Sequence, residues 1–181
     1  SHDINYYKNM FNSNSAGFNS LNNYYREASY NQLTIDTTFY PAPSGTVIQS
    51  YTDSHTRNYY QKYHAALNPT GYKNETQSTQ REHTLLKNAI EAVRGQVPAN
   101  LNLDGDNDGK VDNVCFIIQG SPMGWNDLLW PHMWSLYSYD VLINNKLVST
   151  FNFQLETATA QEGVGVLAHE MFHCLEAPDL Y

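Results

Sequence analysis

The sequence predicts an α+β fold: a twisted mixed sheet carries two main helices, and a third, apolar helix packs beneath it. Three observations carry the prediction. Leu86, Ala89, Ile90 and Val93 repeat at helical spacing. Residues 113–119 form an almost wholly apolar run of strand length. Residues 165–175 are apolar on nearly every face, as in a helix buried all round. A chain of 181 residues, 41 % hydrophobic and 15 % charged, can bury a real core and is expected to form one domain over 1–181.

Taken in order, residues 3–30 read as two helical pieces parted by the polar run Asn12 to Gly17, the second running from Leu21 to Tyr30. Leu33, Ile35 and Thr37 alternate, so Gln32 to Tyr40 is expected as a strand, closed by Pro41 and Pro43. Residues 44–78 are rich in Tyr, Asn and Thr and read as long loops with a short helix around Arg57 to Leu67. Thr79 with Glu82 makes a capping box for the next helix, and Gly95 stops it. His55, His64 and His83 stand in polar surroundings without ligand spacing and read as surface residues.

Asn113 to Gln119 is expected to be a central buried strand, followed by a loop from Gly120 to Asp127. Leu129 to Trp134 is an aromatic cluster of the kind that walls a core or cleft, with His132 read as a structural histidine. Val141 to Phe151 reads as a hairpin, because Asn144 and Asn145 tolerate the positive backbone angles its turn needs. Phe153 to Thr159 continues as a strand. If it lies at the sheet edge beside the apolar helix, an extended peptide can add to it.

The net charge of −8 speaks against a nucleic-acid partner, which needs a basic face. No apolar run approaches the ~20 residues of a membrane span. The polar bulk is Asn, Ser, Thr and Tyr, which suits an extracellular protein, and a monomer is expected. Cys115 on a strand and Cys174 on the last helix are read as free buried thiols in preference to a disulfide.

The chemistry concentrates in the last helix. His169, Glu170 and His173 interrupt an otherwise apolar segment, and polar groups in a dry helix cost free energy unless something satisfies them. Residues four apart lie on one helical face, so the two imidazoles can converge on one ion. Glu170 then stands beside that ion, placed to take a proton from water. This is the H-E-x-x-H zinc pattern with its mechanism. A second motif spans Asp104 to Asp112. Asp104, Asp106 and Asp108 alternate and Gly109 follows, resembling the start of a calcium loop, with the Lys110 carbonyl and Asp112 as closing ligands. The twelfth position, where an EF-hand has Glu, holds Cys115, so the loop is of another kind.

The run from His169 to Tyr181, ending Pro178-Asp179-Leu180-Tyr181, resembles the immune inhibitor A family of secreted bacterial metallopeptidases. Asn23 to Tyr30 and Asp104 to Asn113 match in the same order. The resemblance implies a metzincin-like catalytic domain that takes Asp as its third zinc ligand, here Asp179, together with structural calcium in the acidic loop. It implies a zinc endopeptidase acting on protein or peptide substrates, with Glu170 as catalytic base. The family has Gly where this chain has Glu176, at a sharp helix exit that favours a left-handed backbone. A side chain there costs roughly 1 kcal/mol. The metzincin likeness further implies a second subdomain after the third ligand, so the chain reads as the N-terminal subdomain alone. The competing expectation is a calcium-stabilised binding module that has lost catalysis.

Overall fold

Short polar side chains start the first two helices. Asp3 Oδ1 accepts from Tyr6 N at 3.1 Å, and α1 follows over Ile4–Asn12. Ser20 Oγ accepts from Asn23 N at 3.0 Å, and α2 follows over Leu21–Ala28. Each side-chain oxygen satisfies an N–H that the helix itself cannot. The computed structural model describes residues 2–121, 128–157 and 163–178, and the architecture is mixed α and β.

The segment Gln32 to Tyr40, expected as a strand, takes no regular secondary structure and joins no sheet among the described residues. Side chains of the two helices do the work of a neighbouring strand. Leu33 N donates to Ser29 Oγ, Ile35 N to Asn22 Oδ1 and Thr37 N to Asn12 Oδ1, at 2.8, 3.0 and 2.8 Å. Leu33, Ile35 and Phe39 still turn inward, so the alternation records one packed face without a ladder. The helix expected around Arg57 to Leu67 is a single 3-10 turn, Arg57–Tyr60.

Helix α3 runs over Glu75–Val93 and begins a turn earlier than Thr79 and Glu82 suggest. Asn74 Oδ1 caps Gln77 N at 2.9 Å, and Gln77 Oε1 reaches back to Lys73 N at 2.9 Å. Its regular turns end at Val93, and a 3-10 turn over Arg94–Gln96 contains Gly95.

The main sheet has the order β1-β5-β2, where β1 is Cys115–Ile118, β2 is His132–Ser135 and β5 is Thr150–Leu155. β1 runs parallel to β5 and β2 antiparallel to it, so the sheet is mixed. The expectation that residues 113–119 form the central strand is therefore corrected. Among the described residues β5 is central and β1 is a half-buried edge. The two polar residues of β5, Asn152 and Gln154, disguise it in the sequence, yet both are fully buried. The expected hairpin forms from β3 (Leu142–Ile143) and β4 (Lys146–Leu147), with φ of 49° at Asn144 and 64° at Asn145. Positive φ at both central residues is what a type I′ turn demands.

Helix α4, Val164–Cys174, lies against β5 and β2. The sheet thus divides two cores. On one side Leu85, Leu86 and Ile90 of α3 meet Phe151, Phe153 and Leu155 of β5. On the other, Met10, Phe11, Leu21 and Tyr25 of α1 and α2 meet Leu167, Ala168 and Met171 of α4. Burying each such side chain is worth about 1.5–3 kcal/mol. No helix among the described residues is long and apolar enough to cross a membrane.

Candidate metal centre

Helix α4 is fixed before its polar residues are reached. Tyr25 Oη donates to the Ala168 carbonyl at 2.7 Å in the buried seam between α2 and α4, and burial raises its hydroxyl pKa well above the ordinary tyrosine value. The next residue is His169, exposed on the outer face beside an open cleft of about 440 Å³ between α2 and α4.

His173 follows one turn later, and the two Nε2 atoms stand 3.2 Å apart with their rings nearly perpendicular. The helix end orients the second ring. Glu176 takes φ of 65°, the left-handed conformation expected at this exit. Ala177 N donates to Phe172 O at 3.2 Å and Glu176 N to His173 O at 2.9 Å, the paired bonds of a Schellman ending. That ending turns the Ala177 carbonyl back toward the helix, where it accepts from His173 Nδ1 at 2.8 Å. A carbonyl only accepts, so Nδ1 carries the proton, and a neutral ring then presents a bare lone pair at Nε2. Fixing one ring nitrogen this way is how metal-binding histidines are usually oriented.

A zinc–nitrogen bond is about 2.0–2.1 Å, so two Nε2 atoms 3.2 Å apart are close enough for both to ligate one ion. The two residues fit a metal that takes nitrogen ligands, and they would hold it together. Asp179, the expected third ligand, lies outside the described residues.

Glu170 is buried against the sheet. Burial raises its carboxyl pKa above the ordinary value; His169, His173 and His132 and the Met133 backbone N–H pull the other way without cancelling it. The strand geometry explains why Met133 is there. Asn152, its partner on β5, donates to Val114 O on the opposite side of β5, so the Met133 N–H and C=O both face the outer edge of β2.

Behind that edge lies a pair that local patterns in the sequence miss. His132 Nε2 is 2.8 Å from Glu82 Oε1 on α3, and Nδ1 is 2.5 Å from the Trp130 carbonyl oxygen. Burial, the largest single influence, lowers the His132 pKa, but Glu82, the Trp130 carbonyl and Glu170 together outweigh it and the net shift is upward. His132 is thus the satisfied histidine expected. His83, expected at the surface, is instead fully buried: Nδ1 bonds to Ser138 Oγ at 2.6 Å, and the ring meets Tyr137 and Phe151 edge-on. Polar neighbours in sequence misled because helical residues adjacent in the chain point about 100° apart.

The acidic loop brings Asp104, Asp106 and Asp108 together, with carboxylate oxygens within 4.8 Å of one another. Lysines supply positive charge here. Lys146 Nζ reaches Asp104 Oδ2 at 2.5 Å and Lys110 Nζ reaches Asp108 Oδ2 at 2.7 Å, and each lowers its partner's carboxyl pKa. Asp112 is not gathered with the other three; its carboxylate closes the loop on Gly105 N at 3.0 and 3.1 Å. Lys110 enters through its side chain, while its neighbours Gly109 and Val111 bond the loop to Leu147 of β4.

No protein-family model, curated protein or solved structure matches the chain.

Cys115 and Cys174 are free thiols, as expected. Burial pushes the Cys174 thiol up to about 12 and Cys115 higher still, so both are inert small hydrophobes at neutral pH.

Proposed function

We propose that the protein is a zinc-dependent endopeptidase of metzincin-like architecture, secreted, and acting on protein or peptide substrates. The observation that carries the reading is the 3.2 Å approach of His169 Nε2 and His173 Nε2, with the second ring held by the Ala177 carbonyl. His169 and His173 hold the zinc, and Asp179 is the third ligand that the family resemblance implies. When bound, zinc supplies Lewis-acid polarisation of the scissile carbonyl and acidifies water.

The chain's own residues do the remaining work. Glu170 takes the proton from the attacking water and delivers it to the leaving amine. Its buried setting suits the task, since a carboxyl raised above its ordinary pKa exchanges protons nearer neutrality. The peptide-adding edge belongs to β2, because β5 is central. Beyond the Met133 N–H, which faces Glu170, the Met133 carbonyl and the Ser135 backbone groups turn outward, and an extended substrate can pair with them. The acidic loop is read as a calcium site that pins the chain just before β1.

Casein hydrolysis by the zinc-loaded protein tests the reading. Glu170→Gln is expected to abolish turnover while zinc stays bound at the wild-type stoichiometry. Turnover at the wild-type rate in that variant, or calcium binding without any zinc, overturns it; the second result favours the binding module.

A further inference from the structure

We propose that His132, fastened by Glu82, is a positioning residue for Glu170: it holds the edge strand from the α3 side where the strand's outer edge meets the Glu170 carboxylate. The inference deepens the proteolytic reading and rests on it for the role of Glu170.

The hydrogen-bonding capacity of the ring is the first ground. Nε2 faces a carboxylate oxygen at 2.8 Å and Nδ1 a carbonyl oxygen at 2.5 Å. The Trp130 carbonyl only accepts, so Nδ1 carries a proton; Nε2 stands at ion-pair distance from Glu82, and a second proton there makes His132 an imidazolium. The ring has little freedom to turn. It stacks on Phe153 at 5.3 Å and 22°, and meets Phe151 edge-on at 5.8 Å, both of them fully buried. Glu82 is itself buried on α3, so the pair ties β2 to a helix on the far side of the sheet from α4.

The second ground is what the next residue does. Side chains alternate along a strand, so His132 facing α3 sets Met133 toward α4, with its N–H on the outer edge against Glu170. The charged groups acting on His132 are Glu82 from α3 and Glu170 from α4; those acting on Glu170 are His132, His169 and His173.

The test uses Glu82→Gln and His132→Gln in the zinc-loaded protein, with rates normalised to bound zinc. Both should lower kcat between about tenfold and a hundredfold, the usual effect of groups that orient a metal site, with KM unchanged. Unchanged kcat per zinc, or a loss that falls wholly on KM, overturns the proposal. Two measurements on the zinc-free protein do not depend on activity. Imidazole nitrogen shifts should show His132 doubly protonated at pH 7 in the wild type and singly protonated in Glu82→Gln. Amide exchange at Met133 should quicken about tenfold in His132→Gln and in Glu170→Ala, the protection of one hydrogen bond, with Phe153 unaffected. A neutral His132 in the wild type, or unchanged Met133 exchange, overturns the inference even if proteolysis is found. A wild-type protein that cuts nothing sinks the proteolytic reading and the role of His132 in it, while the nitrogen shifts and exchange still decide the contact itself.

Discussion

His173 donates from Nδ1 to the carbonyl of Ala177 at 2.8 Å, and Ala177 reaches that place only because Glu176 adopts a left-handed backbone. The helix ending and the orientation of a metal-binding ring are one feature. Had the helix run straight on, the carbonyl of residue 177 would point along the axis, away from the ring one turn back. The Schellman bonds therefore decide which nitrogen of His173 is protonated, and hence which one can bind an ion.

Glu176→Gly should stabilise the protein by about 1 kcal/mol, because glycine meets φ of 65° without the Cβ penalty. For a chain of this length that is a rise in Tm of about 2–4 °C, readable by calorimetry. Glu176→Val should act in the opposite direction, since a β-branched residue tolerates positive φ worst. A Glu176→Gly protein melting below the wild type would show that the ending is held otherwise.

The start of α3 gives a paired comparison. Asn74→Ala removes the side chain that accepts from Gln77 N and should cost about 1 kcal/mol in denaturant unfolding. Thr79→Ala lies within the second turn and should be within about 0.5 kcal/mol of neutral. The reverse order would move the helix start to where the capping box in the sequence places it.

His83 gives a pH dependence with a definite sign. Burial lowers its folded-state pKa, with Glu82 opposing only in part. The unfolded chain therefore binds a proton first. The stabilisation is complete above the unfolded value near 6.5 and is lost as pH falls toward the depressed folded value. His132 carries the opposite sign: its folded pKa is raised, so its contribution is complete below 6.5 and fades as pH rises through the folded value. Thermal melts between pH 7.5 and 5.5 should show the wild type losing more stability on acidification than His83→Phe. Parallel curves for the two would mean that His83 titrates alike folded and unfolded.

What could be read from the sequence, and what could not, divides along the range of the interaction. The spacing of His169 and His173 is local, and a helix of any surroundings puts those rings on one face. The turn at Asn144 and Asn145 and the strain at Glu176 are equally local, and both appear as expected. The pairing of Glu82 with His132 spans fifty residues, and the sequence offered Glu82 a nearer role as a capping-box partner. The order of the sheet was hidden for the same reason. Cys115 to Ile118 is more apolar than Thr150 to Leu155, yet neighbours on both sides make the latter central. Alternation at Leu33 and Ile35 indicated one buried face, but whether strands or the side chains of Asn12 and Asn22 take the backbone groups is a tertiary fact.

The acidic loop yields the last prediction, because two lysines stand where an added cation would act. Lys146 Nζ lies against Asp104 and Lys110 Nζ against Asp108, so calcium must displace ammonium groups to bind the three gathered carboxylates. Lys146→Met should therefore bind calcium more tightly than the wild type while melting lower without it, since Asp104, nearly inaccessible to solvent, is left without its partner. Asp106→Asn removes one of the three gathered carboxylates, and it should weaken calcium binding about tenfold, as affinity follows ligand charge. A bound ion at a hundred times its Kd stabilises by about 2.7 kcal/mol, so the wild type should melt several degrees higher in millimolar calcium and return with chelator. If calcium leaves the melting temperature of both the wild type and Lys146→Met unmoved, the lysines are the loop's permanent counter-ions, and Asp104 to Asp112 is a turn closed by its own charges.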